Sequence, residues 1–145
     1  MKISTRSRYG LRAILELAME HGKGPLQIKV IAERQEISNK YLEQIMAILK
    51  SVGLVRSIRG AKGGYVLAKE PKNIQISDVF VALEGPLVTV DCIDHPEFCS
   101  RCTDCVTRYV WSEIQNSIMK VMDSLTLQDL VDKSKTGKNM LDYQI

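Results

Sequence analysis

The segment 38–51 separates apolar and polar residues onto two faces of a helix, and this pattern limits the fold more than any other feature. The apolar face carries Leu42, Ile45, Met46 and Leu49 at helical spacing. The polar face carries Lys40, Glu43, Gln44 and Ala47. Ser38 is a natural N-cap, so the sequence predicts a helix over 39–51.

Two shorter patterns precede this helix. An amphipathic helix is predicted from about residue 4 to residue 20, and its inward residues are Leu11, Ile14, Leu15 and Ala18. The segment HGKGP breaks it, and a short helix then places Ile28, Ile31 and Ala32 inward. A short helix joined to a longer one by a tight turn is typical of a helix-turn-helix.

A predicted β-hairpin follows the third helix. The β-prone runs LVRSI and YVL flank the segment RGAKGG, whose glycines allow a tight turn. Arg56, Arg59 and Lys62 lie in or beside this tip. A phosphate-binding loop would need the pattern GxxxxGK[ST] and would open a helix, and neither condition holds here. The hairpin is therefore interpreted as a cationic wing that can contact DNA.

Charge divides the chain into two parts. Residues 1–72 hold 14 Lys and Arg against 6 Asp and Glu, whereas residues 73–145 hold 6 against 11. A basic half suits a nucleic-acid partner, although ordinary surface charge explains it equally well. We predict a mainly α winged helix-turn-helix over 1–72, a loop (90–106) and dimerisation helix within 73–133, and a flexible tail over 134–145.

The second part contains two further predicted helices. A short one places Val79, Ala82 and Leu83 inward, and a long one from about residue 105 to 124 repeats an apolar residue every fourth position. That stripe is Val106, Val110, Ile114, Ile118 and Met122. A long amphipathic helix outside the DNA-binding part has little to cover it except a second copy, which predicts a homodimer.

The N-terminus lacks an apolar signal segment, and the chain has no run of about 18 apolar residues. We expect a cytoplasmic protein that contacts no membrane. His21 and His95 have no recognisable partners for nucleophilic catalysis, so no enzymatic activity is expected.

All four cysteines fall within one loop. Cys92, Cys99, Cys102 and Cys105 are separated by six, two and two residues. In a reducing compartment such clusters are more often metal ligands or redox groups than disulfides. The spacing suits an iron–sulfur cluster, and paired CxxC steps also suit zinc, so the residues alone leave both open. A thioredoxin-like site would need a βαβ unit, which the pattern does not predict.

The chain resembles the winged-helix regulator family that includes IscR, NsrR and CymR. The resemblance covers most of residues 1–133 and rests on YLEQ at 41–44, RGAKGGY at 59–65 and a cysteine loop ending in CVTRYVW. It implies a dimeric regulator that binds a roughly palindromic operator in double-stranded DNA. By position it places Ser38, Lys40, Tyr41, Glu43 and Gln44 at the DNA, with Arg59 in the minor groove.

The resemblance also implies an iron–sulfur cluster on the loop, with [2Fe-2S] favoured and [4Fe-4S] possible. Cys92, Cys99 and Cys105 are the expected core ligands. The fourth ligand departs from the family, because Arg108 stands where IscR-like members have His and Arg8 where NsrR-like members have Asp. Cys102 is the expected replacement and His95 the alternative. A cluster-free regulator controlled by a partner protein, as in CymR-like members, or a zinc-stabilised protein are the other interpretations.

Overall fold

A computed structural model shows a mainly helical chain with one two-stranded sheet, and it describes residues 1–140, with side chains through residue 137. The helices are α1 (Thr5–Met19), α2 (Ile28–Gln35), α3 (Asn39–Ser51), α4 (Ile76–Glu84), α5 (Asp91–Asp94), α6 (Val106–Ser124) and α7 (Leu127–Met140). The strands are β1 (Val55–Ile58) and β2 (Gly64–Leu67), and short 3₁₀ turns lie at Pro71–Asn73 and Pro96–Phe98. The predicted fold class is confirmed.

The third helix has the predicted bounds and the predicted buried face. Leu42, Ile45, Met46 and Leu49 are all 0% exposed, so the apolar side of α3 is wholly within the core. Ser38 caps the helix, and its Oγ accepts a hydrogen bond from the Tyr41 amide at 3.2 Å. The polar side of α3 therefore remains on the surface.

The predicted inward face of α1 needs correction. The structure buries Ala13, Ile14, Leu17 and Ala18, whereas Leu11 and Leu15 are only partly buried. The reason is that α1 is packed against α2, α3, α4, α7 and β2, so its buried surface is wider than one stripe and is rotated from it. At Gly10 a Cβ atom would lie 2.2 Å from Leu83 Cδ1, which shows how closely α4 approaches α1.

Polar contacts fix the start of α1 to the end of α4. The Glu84 carboxylate accepts hydrogen bonds from Ser4 Oγ, at 2.5 Å, and from Ser7 Oγ. The Arg6 Nε atom donates to the Leu83 carbonyl at 2.8 Å. The two serine hydroxyls hold the pKa of Glu84 below its ordinary value.

The hairpin forms as predicted, and a third segment lies along it. Its antiparallel register runs from Val55 opposite Leu67 to Ile58 opposite Gly64. Leu26, which precedes α2, exchanges two backbone hydrogen bonds with Tyr65 at 3.0 and 2.9 Å. A Cβ at position 64 would meet the Leu26 carbonyl oxygen at 2.4 Å, so this close approach requires glycine.

The C-terminal helix returns to the core of the N-terminal part. Leu127 is 0% exposed and Val131 is also buried, in one cluster with Ile14, Ile74 and Val79. The Leu127 amide donates to the Ile74 carbonyl at 2.9 Å. One continuous core therefore crosses the predicted boundary between residues 72 and 73.

The first residues of the predicted tail, from 134 on, are helical. Helix α7 runs to Met140, and the Ser134 Oγ atom lies 3.7 Å from Met19 Sδ on α1. A capping box begins this helix: Asp129 accepts from the Thr126 amide at 2.8 Å, and the Thr126 hydroxyl accepts from the Asp129 amide at 3.2 Å. The remainder of the predicted tail, 141–145, lies outside the described residues. Within 1–140, no helix is long and apolar enough to span a membrane.

Candidate nucleic-acid interface and cysteine loop

The exposed face of α3 carries the side chains predicted to read DNA. Lys40, Glu43 and Gln44 are exposed, and the hydrogen bonds and ion pairs of the described residues leave these three side chains unengaged. Ser38 is also exposed, but its oxygen already caps the helix. Amide, carboxylate and ammonium groups on one helical face can hydrogen-bond to base edges and phosphates.

Tyr41 differs from the other predicted DNA-facing residues because it is half-buried. Its ring meets the ring of Tyr9 edge to face, with centroids 6.1 Å apart and planes at 76°. The Arg12 guanidinium lies 5.2 Å from the centre of the Tyr9 ring. The sequence patterns did not identify Tyr9 or Arg12 as functional residues. Their spacing of three residues places them on the same side of α1, which is not fully buried.

The wing presents two of its three predicted cations at the tip. Arg59 and Lys62 lie in the turn between β1 and β2 and are exposed. Two glycines shape that turn: Gly60 has φ of 113°, and a Cβ at Gly63 would lie 2.1 Å from the Ile58 carbonyl oxygen. These constraints fix the backbone of the turn that carries the two cations.

Arg56 is placed differently. It lies within β1 and lines a cleft of about 440 Å³ between the wing and the C-terminal end of α1. The other walls of this cleft include Leu17, His21 and Tyr65. The structure therefore separates Arg56 from the two cations in the turn.

The cysteine loop is attached to α6 mainly by polar contacts. Arg108 donates from Nε to the Cys92 carbonyl at 3.1 Å and from Nη2 to the Ile93 carbonyl at 3.3 Å. Two turns further along α6, Gln115 accepts from the Thr89 amide at 3.1 Å and donates to Asp94 at 3.3 Å. No residue of α5 or α6 is buried, so these hydrogen bonds position the loop in place of an apolar core.

The four thiols are free and half-buried, but they do not share one environment. Burial raises the pKa of the Cys102 thiol, and the nearby thiols of Cys99 and Cys92 raise this pKa further. The Cys102 Sγ atom lies 3.9 Å from the Cys92 carbonyl oxygen. The Cys102 thiol therefore lies near those of Cys99 and Cys92.

Cys105 lies at the start of α6. The Thr107 hydroxyl, 3.2 Å from its Sγ atom, lowers the pKa of the Cys105 thiol, and backbone amides of the first turn assist. This thiol lies at the N-terminus of α6. His95 is also turned to other partners, since its Nδ1 lies 3.1 Å from Glu97 Oε1 and its ring stacks on Phe98.

The donors have the chemistry of a cluster site but not its arrangement. Among the residues that the structure describes, no group of three or more His, Cys, Asp or Glu side chains is placed to hold a metal ion. Arg108 cannot ligate, and it occupies the side of the loop where the expected histidine would lie. As folded here, the loop does not fit an iron–sulfur cluster.

Helix α6 carries an exposed apolar strip along its N-terminal half. Val106 is 82% exposed, Val110 is 47% exposed and Ile114 is 42% exposed. Further along the predicted stripe, Ile118 and Met122 are partly buried, and Met122 packs against the core. The described residues of this chain thus leave about two and a half turns of this apolar stripe uncovered.

Comparisons with known proteins converge on one family. The family described as "Rrf2: Iron-dependent Transcriptional regulator" matches residues 3–133. The HTH-type transcriptional regulator CymR of Bacillus subtilis (strain 168) is 45% identical over 130 residues, which is 90% of this chain and 89% of that protein.

Two solved structures have the same fold. The structure of CymR (YrzC), the global cysteine regulator of B. subtilis, aligns with a TM-score of 0.80 at 42% identity and covers 91% of this chain and 97% of that one. The T. potens IscR structure aligns with a TM-score of 0.77 at 42% identity and covers 92% of this chain and 88% of that one.

Proposed function

This chain belongs to the Rrf2 family of transcriptional regulators, and from that membership we propose that it is a homodimer that binds a roughly palindromic operator through α3 and the wing. Its relatives are regulators and not enzymes. The observation that carries the proposal is the unengaged polar face of α3 on the same N-terminal unit as a cationic wing tip. Such a protein acts on DNA in the cytoplasm.

Each side chain has a defined role in this proposal. Gln44 can bond adenine N6 and N7, and Glu43 can accept from cytosine N4 in the major groove. Lys40 and Lys62 supply phosphate contacts, and Arg59 enters the minor groove. Ser38 and Tyr41 hold the first turn of α3 at the DNA, and Arg56 supports the base of the wing.

The exposed strip on α6 supports the homodimer. A second copy could cover Val106, Val110 and Ile114 with the same surface, as two-fold symmetry requires. Paired recognition helices would then enter successive major grooves about 34 Å apart, which gives the palindrome. Analytical ultracentrifugation at micromolar protomer concentration should show a dimer, and a monomer there would contradict this part of the proposal.

A salt titration tests the DNA-binding surface. Lys62→Ala should reduce the slope of log affinity against log salt by about 0.9, the value for one lost phosphate contact. Lys133→Ala is the matched control, because Lys133 is an exposed cation on α7, away from α3 and the wing. Equal slopes for wild type and Lys62→Ala, or an equal loss in Lys62→Ala and Lys133→Ala, would contradict the assignment.

Sequence preference tests the recognition helix separately. Glu43→Ala should change the preferred base at one position of each half-site, with a discrimination change of about 1–3 kcal/mol. The measurement is selection of binding sites from a random duplex library. An identical motif for variant and wild type would exclude Glu43 from base contact.

For the loop 90–106 we propose a regulatory role, and two observations favour different forms of it. The iron-dependent family description and the similarity to IscR favour a cluster held by Cys92, Cys99, Cys102 and Cys105, which would require the loop to rearrange from the fold described above. The similarity to CymR favours a cluster-free regulator. A zinc-stabilised loop is the third form.

Anaerobic purification distinguishes the three forms. A brown protein with visible charge-transfer absorption, iron and acid-labile sulfide would support the cluster, whereas a colourless protein with stoichiometric zinc would support zinc. A colourless, metal-free protein would support the cluster-free form. Cys102→Ala identifies the fourth ligand, since a cluster that survives this substitution unchanged does not use that thiol.

A further inference from the structure

The turn between α2 and α3 contains a backbone conformation that needs support. Glu36 has φ of 55° and ψ of 46°, the left-handed region that residues other than glycine rarely adopt. The Ile37 amide donates to the Ala32 carbonyl at 3.0 Å and ends α2. This turn sets the direction in which the recognition helix leaves α2.

Helix α1 holds both sides of the turn. On the α2 side, Arg12 donates from Nε to the Gln35 side-chain oxygen at 2.8 Å and from Nη2 to the Gln35 carbonyl. On the α3 side, the ring of Tyr9 packs edge to face on Tyr41. Arg12 also lies over the Tyr9 ring, so the two sides are joined. Gln35, Arg12, Tyr9 and Tyr41 form a continuous brace from the last residue of α2 to the first turn of α3.

We propose that Tyr9 is a positioning residue for DNA recognition, because this brace sets the orientation of the first turn of α3. The inference rests on the proposed function and extends it to a residue outside the helix-turn-helix. Tyr9 is half-buried between Arg12 and Tyr41, so it acts through the recognition helix and not by contact with a base.

The physical consequence is specific to base reading. A bidentate contact to a base edge requires close alignment of donors and acceptors, so a small rotation of α3 weakens it. The attraction between a cation and a phosphate falls off slowly with distance and tolerates the same rotation. Loss of the brace should therefore reduce discrimination between sequences while the phosphate contacts remain.

Two substitutions of Tyr9 distinguish the contribution of its ring from that of its hydroxyl group. Tyr9→Leu keeps an apolar side chain against the helix but removes the face that Arg12 covers and the partner of Tyr41. Tyr9→Phe keeps both ring contacts. It removes only a hydroxyl that no side-chain hydrogen bond among the described residues uses.

The experiment compares the affinity of each full-length dimer for its selected operator with its affinity for a duplex of equal length and scrambled half-sites. For Tyr9→Leu we expect the ratio of the two affinities to fall about tenfold, as for the loss of one good base contact. The salt slope should stay unchanged, and Tyr9→Phe should stay within about twofold of wild type. If Tyr9→Leu does not fold, Tyr9→Met replaces it, since a flexible apolar side chain fills the same space, removes the ring and leaves the charge of the surface unchanged.

Three results would overturn the inference. An unchanged ratio in Tyr9→Leu would show that the brace does not affect recognition. An equal loss on both duplexes with a smaller salt slope would make this region a phosphate contact. A loss in Tyr9→Phe equal to that in Tyr9→Leu would assign the effect to the hydroxyl. A wild-type protein with no operator preference would instead refute the proposed function itself.

Discussion

Removal of the hydroxyl of Ser38 tests the link between helix capping and DNA recognition. The Ser38 oxygen is the side-chain acceptor at the start of α3, bonded to the Tyr41 amide at 3.2 Å. An alanine leaves that amide without its partner, and loss of a serine cap costs about 1 kcal/mol of the free energy of unfolding. For a chain of this size the corresponding fall in Tm is about 3 °C.

Ser38→Asp is the matched control, because it separates stability from DNA binding. Aspartate is as good an N-cap as serine, and its charge interacts favourably with the helix N-terminus by about 0.3–1 kcal/mol. Its stability should therefore equal or exceed that of wild type. On the proposed DNA face, however, the same charge offsets about one cation and should reduce the salt slope by about 0.9.

Urea unfolding followed by circular dichroism, at one fixed protomer concentration, gives the free energies, and fluorescence anisotropy across a salt series gives the slopes. The expected order of stability is Ser38→Asp at or above wild type and Ser38→Ala below it. A loss in Ser38→Asp as large as that in Ser38→Ala would refute the capping argument. Wild-type operator affinity in Ser38→Asp would show that this end of α3 does not face DNA.

Three further substitutions test the packing. Gly10→Ala should lower the free energy of unfolding by about 1–3 kcal/mol in urea titration, because the new methyl group overlaps Leu83 Cδ1; unchanged or increased stability would mean that α1 and α4 are less closely packed. Leu127→Ala should cost about 2–5 kcal/mol in a single transition; a separate, earlier transition would show that α7 is not part of the common core. Glu84→Gln should narrow the difference in stability between pH 7 and pH 3. The pKa of Glu84 in the folded protein lies below its ordinary value of 4.5. Ionised Glu84 therefore stabilises the fold fully above about pH 4.5, and this contribution is lost as the pH falls through the pKa of the folded state.

Local patterns were enough to predict the helix-turn-helix and the wing. The apolar spacing of α3 and the cap at Ser38 depend only on neighbours within a few residues, and the structure has the predicted helix bounds. The glycine-rich turn between two β-prone runs is equally local. On α1, by contrast, a single stripe was predicted, and packing against five other elements buried a wider and rotated face.

The candidate site shows the same division. The sequence alone supplied the polar face of α3, the cations of the wing tip and the four thiols of one loop. Only the tertiary structure decided that Tyr41 packs on Tyr9, that Arg56 lines a cleft below the wing, and that Arg108 holds the loop by backbone carbonyls. Periodicity and turn chemistry act over a few residues, whereas these contacts join side chains from separate elements, whose meeting depends on how the whole core packs.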